Sequence, residues 1–135
     1  MTMYDKGANA ERELMKILYA NGFSVLRSSG SGVNQLPAPD VIALKEGTIL
    51  LFECKAWKGN YIYIELQKMM QLDDFAQRSH GNVIAAWKLP HKGWLFIPRN
   101  QLKKTRKHFT ISKNKALKHA VKLSVLSGMQ KTLSY

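Results

Sequence analysis

Asp40, Glu53 and Lys55 are the residues of this chain best placed to do chemistry together. Asp40 stands just before an apolar segment, Val41-Ile42-Ala43-Leu44. Glu53 and Lys55 close a second one, Ile49-Leu50-Leu51-Phe52. Between the two lies Lys45-Glu46-Gly47-Thr48, where Gly47 supplies the positive φ that a tight hairpin turn requires. With Glu46 and Gly47 as the central turn residues, Leu44 faces Ile49, Ile42 faces Leu51 and Asp40 faces Glu53. Directly opposed residues hold their Cβ atoms about 4.5–5.5 Å apart. Two carboxylates side by side repel, and a divalent cation relieves the repulsion. Mg²⁺ suits one or two carboxylates completed by water and phosphate oxygens. Lys55 lies two residues beyond Glu53 and so shares its face. A metal that polarises phosphate and activates water, beside a cation that stabilises added charge, is the equipment of phosphodiester hydrolysis. Each piece alone says less. Glu-x-Lys is often a same-face charge pair, and Pro39-Asp40 is a common turn dipeptide. A slip of one residue in the hairpin would turn Glu53 and Lys55 to the opposite face.

The elements that must carry these residues follow from periodicity. Ala8 to Asn21 reads as a helix, with Ala10, Leu14, Ile17 and Leu18 on one side and Gly22 at its end. A short strand, Phe23 to Arg27, precedes a polar loop, Ser28-Ser29-Gly30-Ser31-Gly32. Pro37 and Pro39 hold the next segment extended. The two hairpin strands are apolar at nearly every position, which calls for a sheet covered on both faces. A second helix is expected over Ile64 to Ser79, ended by Gly81, then strands over Asn82 to Trp87 and Trp94 to Ile97. A last helix is expected over Lys113 to Leu126, with Leu117, Ala120, Val121 and Ser124 on one side. The order αβββαββα describes one α/β domain, a small mixed β-sheet flanked by helices. The 135-residue length fits a single core.

Charge points to the partner. Lys and Arg number 21 against nine Asp and Glu, a net charge of +12 that attracts polyanions over long range. Arg99, Lys103, Lys104, Arg106 and Lys107 form a strongly basic stretch, and these together with Lys58 are candidates for phosphate contacts. No run of about 18 apolar residues reads as a membrane span, and no secretory signal is legible, so a cytoplasmic location is the default. Cys54, the single cysteine, forms no internal disulfide and reads as a small buried hydrophobe. His80, His91, His108 and His119 lack metal-ligand spacing. The Gly/Ser loop lacks the lysine of a nucleotide-binding P-loop, so no nucleotide cofactor is expected. Met69, Met70 and Phe75 read as core, with part of that stripe able to face a second subunit. Trp57, Trp87 and Trp94 read as packing residues, with base stacking as the alternative that nothing in the sequence supports.

Pro39-Asp40 followed by Glu53-Cys54-Lys55 resembles the PD-(D/E)xK signature of the restriction-endonuclease-like nucleases. Lys6-Gly7-Ala8-Asn9-Ala10-Glu11-Arg12-Glu13-Leu14 resembles the opening of the archaeal Holliday junction resolvases called Hjc. So do Gly22-Phe23, Arg27-Ser28, the Gly/Ser loop, Gly93-Trp94 and Met129-Gln130-Lys131-Thr132-Leu133. The likeness is dense over residues 4–87 and thinner from 88 to 128. It implies a restriction-endonuclease-like core and a homodimer that cuts four-way DNA junctions in recombination and repair. The implied cofactor is Mg²⁺, with Mn²⁺ as a substitute. Asp40 and Glu53 would be metal ligands, and Lys55 would stabilise the attacking water or the transition state. Glu11 would complete the acidic site from the first helix. Helical spacing does not choose between Glu11 and Glu13; the resemblance favours Glu11 and leaves Glu13 an ordinary surface charge. Arg12 and Arg27 match positions implicated in DNA contact or catalysis, although each also reads as a solvated arginine. Ser31 falls in the loop where some relatives use a serine near the scissile phosphate. The alternatives are another PD-(D/E)xK endonuclease and a non-catalytic junction-binding protein. The dimer has a physical argument as well, since two symmetric cuts ask for two sites related by a two-fold axis.

Overall fold

The computed structural model describes residues 3–28 and 36–128, with side chains from Lys6 onward. Ser31, most of the Gly/Ser loop and the segment Met129–Leu133 lie outside the described residues, as does nearly all of the tail from Gly128. The chain opens with helix α1 (Met3–Ala20) and strand β1 (Ser24–Arg27), followed by the hairpin β2 (Val41–Lys45) and β3 (Thr48–Ala56). Strand β4 (Tyr61–Glu65) runs directly into helix α2 (Leu66–Ser79). A second hairpin, β5 (Asn82–Leu89) and β6 (Gly93–Pro98), leads into a short 3₁₀ turn. Strands β7 (Lys103–Lys104) and β8 (His108–Ser112) and helices α3 (Lys113–His119) and α4 (Leu123–Leu126) complete the fold.

The main sheet has five strands in the order β1-β2-β3-β5-β6. Only β3 and β5 run parallel; the other neighbours are antiparallel. Apolar side chains leave the sheet in both directions. Leu50 and Phe52 of β3 pack with Leu14 and Leu18 of α1 on one face. Leu51 packs with Met69 and Leu72 of α2 on the other. That double covering is why the hairpin strands are apolar at almost every position.

The β2–β3 register is the one the turn chemistry requires. Lys45 pairs Thr48, Leu44 pairs Ile49 and Ile42 pairs Leu51. Glu46 takes φ 47° and Gly47 φ 84°, so both central residues lie in the left-handed region of a two-residue turn.

Four expectations need correction. A second, three-stranded sheet, β4-β8-β7, was not expected, and the element order is αββββαββββαα. Ile64 ends a strand instead of starting helix α2, because Ile62 and Ile64 alternate into the core while Tyr61 and Tyr63 face outward. The basic stretch at Lys103 and Lys104 is itself a strand, antiparallel to β8. The last helix is broken between His119 and Leu123, where Val121 pairs with Phe96 of β6. Ala116 and Leu126 consequently face the core, and Leu117 is exposed.

Candidate active site

Two backbone hydrogen bonds and one to its side chain place Asp40. Its N–H donates to Phe52 O at 3.0 Å, and its carbonyl accepts from Ser28 N at 3.0 Å. The hairpin ladder is thus extended one step beyond β2, to the point opposite Glu53. Its side-chain Oδ2 accepts from Cys54 N, on the facing strand, at 2.9 Å. Pro39, which is buried, fixes the approach.

Among the described residues Glu53 is the one buried residue of a charged type, only 7% exposed. Lys55 Nζ lies 3.7 Å from its Oε2, and Lys68 Nζ lies 3.8 Å from its Oε1. Those are ion-pair distances, longer than hydrogen bonds. Oε1 is buried without a hydrogen-bond partner. Burial first, and then the charge of Asp40, push the Glu53 carboxyl up to about 8, with Lys55 and Lys68 pulling the other way.

Lys68 escaped sequence reasoning. It sits in the first turn of α2, and its Nζ also donates to Ala38 O at 3.1 Å. It therefore ties the segment before Asp40 to the carboxylate beyond it. Nothing in the spacing of the chain announces this, because the contact is made only once α2 docks across the sheet.

Glu11 reaches the site from α1 on the other side. Burial raises its pKa most, followed by the charge of Asp40, and Arg27 opposes them. Arg27 Nε lies 2.8 Å from Glu11 Oε1, so the two candidates form a half-buried pair. Among the described residues no three Asp, Glu, His or Cys side chains converge closely enough to hold one metal ion. Glu11 is thus placed beside Asp40, the carboxylate whose charge acts on it.

Glu13 is more than the ordinary surface charge expected of it. It pairs with Lys88 Nζ and accepts from Trp94 Nε1 at 3.0 Å, and these hydrogen bonds lower its pKa. It joins α1 to strands β5 and β6. Cys54 is half-buried; burial and then the charges of Asp40, Glu11 and Glu53 push its thiol far up, which leaves it a poor nucleophile.

The basic candidates are spread over the surface. Arg12, Lys58, Lys103, Lys104, Arg106 and Lys107 are all exposed. Arg106 and Lys107 occupy the turn between β7 and β8. Arg99, in contrast, is committed to structure: it forms a two-pronged pair with Asp73 at 2.9 Å for each contact and covers the Phe109 ring.

A buried carboxylate oxygen that accepts no hydrogen bond, beside a second carboxylate, suits a hard divalent cation held through oxygen. The flanking lysines supply fixed positive charge at the same edge.

Known proteins resemble this chain over most of its length. The family model for the archaeal Holliday junction resolvase (Hjc) matches residues 2–134. A crossover junction endodeoxyribonuclease Hjc of Archaeoglobus fulgidus is 37% identical over 112 residues, 83% of this chain and 82% of that protein. Its counterpart in Sulfurisphaera tokodaii is 39% identical over 102 residues, 74% of this chain and 70% of that protein. The solved structure of the Archaeoglobus fulgidus Hjc, described as a Holliday junction resolvase, matches with a TM-score of 0.83 and 31% identity, over 90% of this chain and 100% of that one. A bacterial homing endonuclease matches with a TM-score of 0.62 at 13% identity, over 97% of this chain and 95% of its own, a likeness of fold alone. The core is restriction-endonuclease-like. The chain belongs to the archaeal Holliday junction resolvase family.

Proposed function

We propose that this chain resolves four-way DNA junctions as a homodimer, by phosphodiester hydrolysis that depends on Mg²⁺ or, in its place, Mn²⁺. The observation that carries the reading is the buried Oε1 of Glu53, which has no hydrogen-bond partner, beside Asp40. Asp40 and Glu53 would hold the cation. When bound, it would polarise a phosphate oxygen and make a water easier to deprotonate.

The chain's own groups do the rest. Asp40 is fixed by three hydrogen bonds, so its carboxylate needs little reorganisation. Lys55 Nζ, 3.7 Å from Glu53 Oε2, would meet the charge that builds on the phosphoryl oxygens. Lys68 keeps the Ala38–Asp40 backbone in register with Glu53. Arg12 and Lys58, with Lys103, Lys104, Arg106 and Lys107, would contact phosphates and read junction shape instead of sequence. A dimer is supported by an apolar patch in which Met70 is 71% exposed and Leu36 is 86% exposed, next to Pro37 and Phe75.

The test compares a synthetic four-way junction with linear duplex of the same sequence, in Mg²⁺, Mn²⁺ or chelator, with sedimentation to give the oligomeric state. Cleavage of the junction alone, by a dimer, in either cation, is expected. Equal rates on junction and duplex would make the chain a general endonuclease. Junction binding without cleavage would leave it an architectural protein.

A second measurement isolates Lys68. Lys68→Met removes a cation that favours ionised Glu53, so the pH–rate profile is expected to move to higher pH. A profile that stays in place with only a lower plateau would make Lys68 a purely structural tie.

A further inference from the structure

Four aromatic side chains are conspicuously exposed among the described residues: Tyr19, Trp57, Tyr61 and Tyr63. Three of them are neighbours. Trp57, Tyr61 and Tyr63 line one groove of about 320 Å³, and Lys55 and Lys6 line it too. The groove is therefore shared by the proposed catalytic lysine and the aromatic rings.

Each ring has a structural reason to stand there. Tyr61 and Tyr63 occupy alternate positions of β4, whose other face buries Ile62 and Ile64. Their rings stack with centroids 6.2 Å apart and planes 23° from parallel. His108, on the neighbouring strand, lies 5.2 Å from the Tyr63 ring. Trp57 is held from below. Its carbonyl accepts from the buried Trp87 Nε1 at 2.9 Å, and its N–H donates to Lys88 O. Its indole lies against Gly59, where an added Cβ would sit 2.2 Å from Nε1. Any larger residue at position 59 would push the ring away. The protein thus holds three large rings in place with roughly half of each in water, an arrangement that makes sense against a flat apolar partner.

Charge identifies that partner. Lys103 pairs across Thr110 from Tyr63, so it shares the outer face of the small sheet. Lys6 and Lys58 are exposed at the groove and in the loop beside it. The acid on this face is Glu65, paired with His108 at the end of β4 away from Tyr61. Flat rings flanked by lysines fit single-stranded nucleic acid, whose bases stack while its phosphates meet the cations. A protein surface would not need the surrounding lysines.

We propose that Trp57, Tyr61 and Tyr63 form a stacking site for unpaired nucleobases beside Lys55. The site would hold bases unstacked at the branch point of a junction and so draw the cleaved strand toward Asp40 and Glu53. This rests on the reading of the chain as a junction nuclease.

The test uses the full chain in chelator and two probes. One is a four-way junction with 2-aminopurine at the branch; the other is a short 2-aminopurine single strand. Wild type is expected to quench both probes. Tyr61→Leu/Tyr63→Leu, which leaves only Trp57, is expected to lose most of the quenching and to bind the junction roughly tenfold more weakly. Tyr63→Phe keeps a π-face and is expected to behave as wild type. Both tyrosines are half in water, so circular dichroism should report an unchanged fold. Unchanged quenching and affinity in the double leucine variant would overturn the site. So would conversion of a dimer to a monomer by that variant, which would make this face a subunit contact. If wild type fails to prefer the junction over duplex, the junction reading falls, and the single-strand probe still decides the stacking site.

Discussion

Asp40→Asn is expected to lower single-turnover junction cleavage in Mg²⁺ by on the order of 10³-fold, while leaving junction affinity in chelator within about threefold. The substitution is chosen for what it spares. The asparagine oxygen still accepts from Cys54 N, and both backbone bonds of residue 40 are untouched. What disappears is one of the two charges proposed to hold a cation. Removing it also takes away the second-largest cause of the raised Glu53 pKa, so Glu53 should ionise at lower pH in the variant. Asp40→Ala would add a different loss. It leaves the Cys54 N–H without an acceptor, at a cost of about 1 kcal/mol in stability. If the Asn variant cut within tenfold of wild type, the cation would have to be held elsewhere. If it also lost junction binding, Asp40 would be organising the DNA surface and not the chemistry.

The readability of this site from sequence has a simple physical basis. Strand periodicity is two, and a two-residue turn with Gly47 leaves one register open to β2 and β3. Asp40 and Glu53 follow from that register by counting, and Lys55 follows from Glu53. The main sheet was legible for the same reason, since each of its strands is bounded by Gly, Pro or a polar turn. Strand β4 was not. Tyr61-Ile62-Tyr63-Ile64-Glu65 alternates, but it passes into α2 without a breaker, and Ile64 fits a helical stripe as well as a strand face. The basic residues of β7 concealed a strand because its pairing with β8 is decided by the backbone and not by apolar side chains. The gap between α3 and α4 is a tertiary effect, with Val121 drawn out of a helical pattern to bond Phe96. Lys68 and the pairing of Glu13 with Lys88 and Trp94 belong to the same class. They are contacts between elements far apart in sequence, for which a single chain offers no period to count.

Glu53 should also write itself into the stability of the protein as a function of pH. Its pKa in the fold is about 8 against an ordinary value of 4.5, so folding favours the protonated form. The sign follows directly. Below the ordinary value both folded and unfolded chains carry the proton, and the fold bears no buried charge. As pH rises toward 8 the unfolded chain gives up its proton more readily, and stability is lost progressively across that window. The loss is on the order of a few kcal/mol, which corresponds to a fall of about 10 °C in Tm for a chain of this size. Glu11, whose pKa is also raised, contributes in the same direction. In chelator, wild type is therefore expected to melt lower at about pH 8.5 than at about pH 5. Glu53→Gln carries no charge to desolvate and should flatten most of that slope, leaving the part due to Glu11. Mg²⁺ binding to the ionised carboxylates should restore wild-type Tm at the alkaline end and do little for the glutamine variant. Differential scanning calorimetry of both proteins, with and without Mg²⁺, reads all four cases. An equal slope in the two proteins would place the titrating group outside the site. A restored Tm in both would show that the cation does not need Glu53.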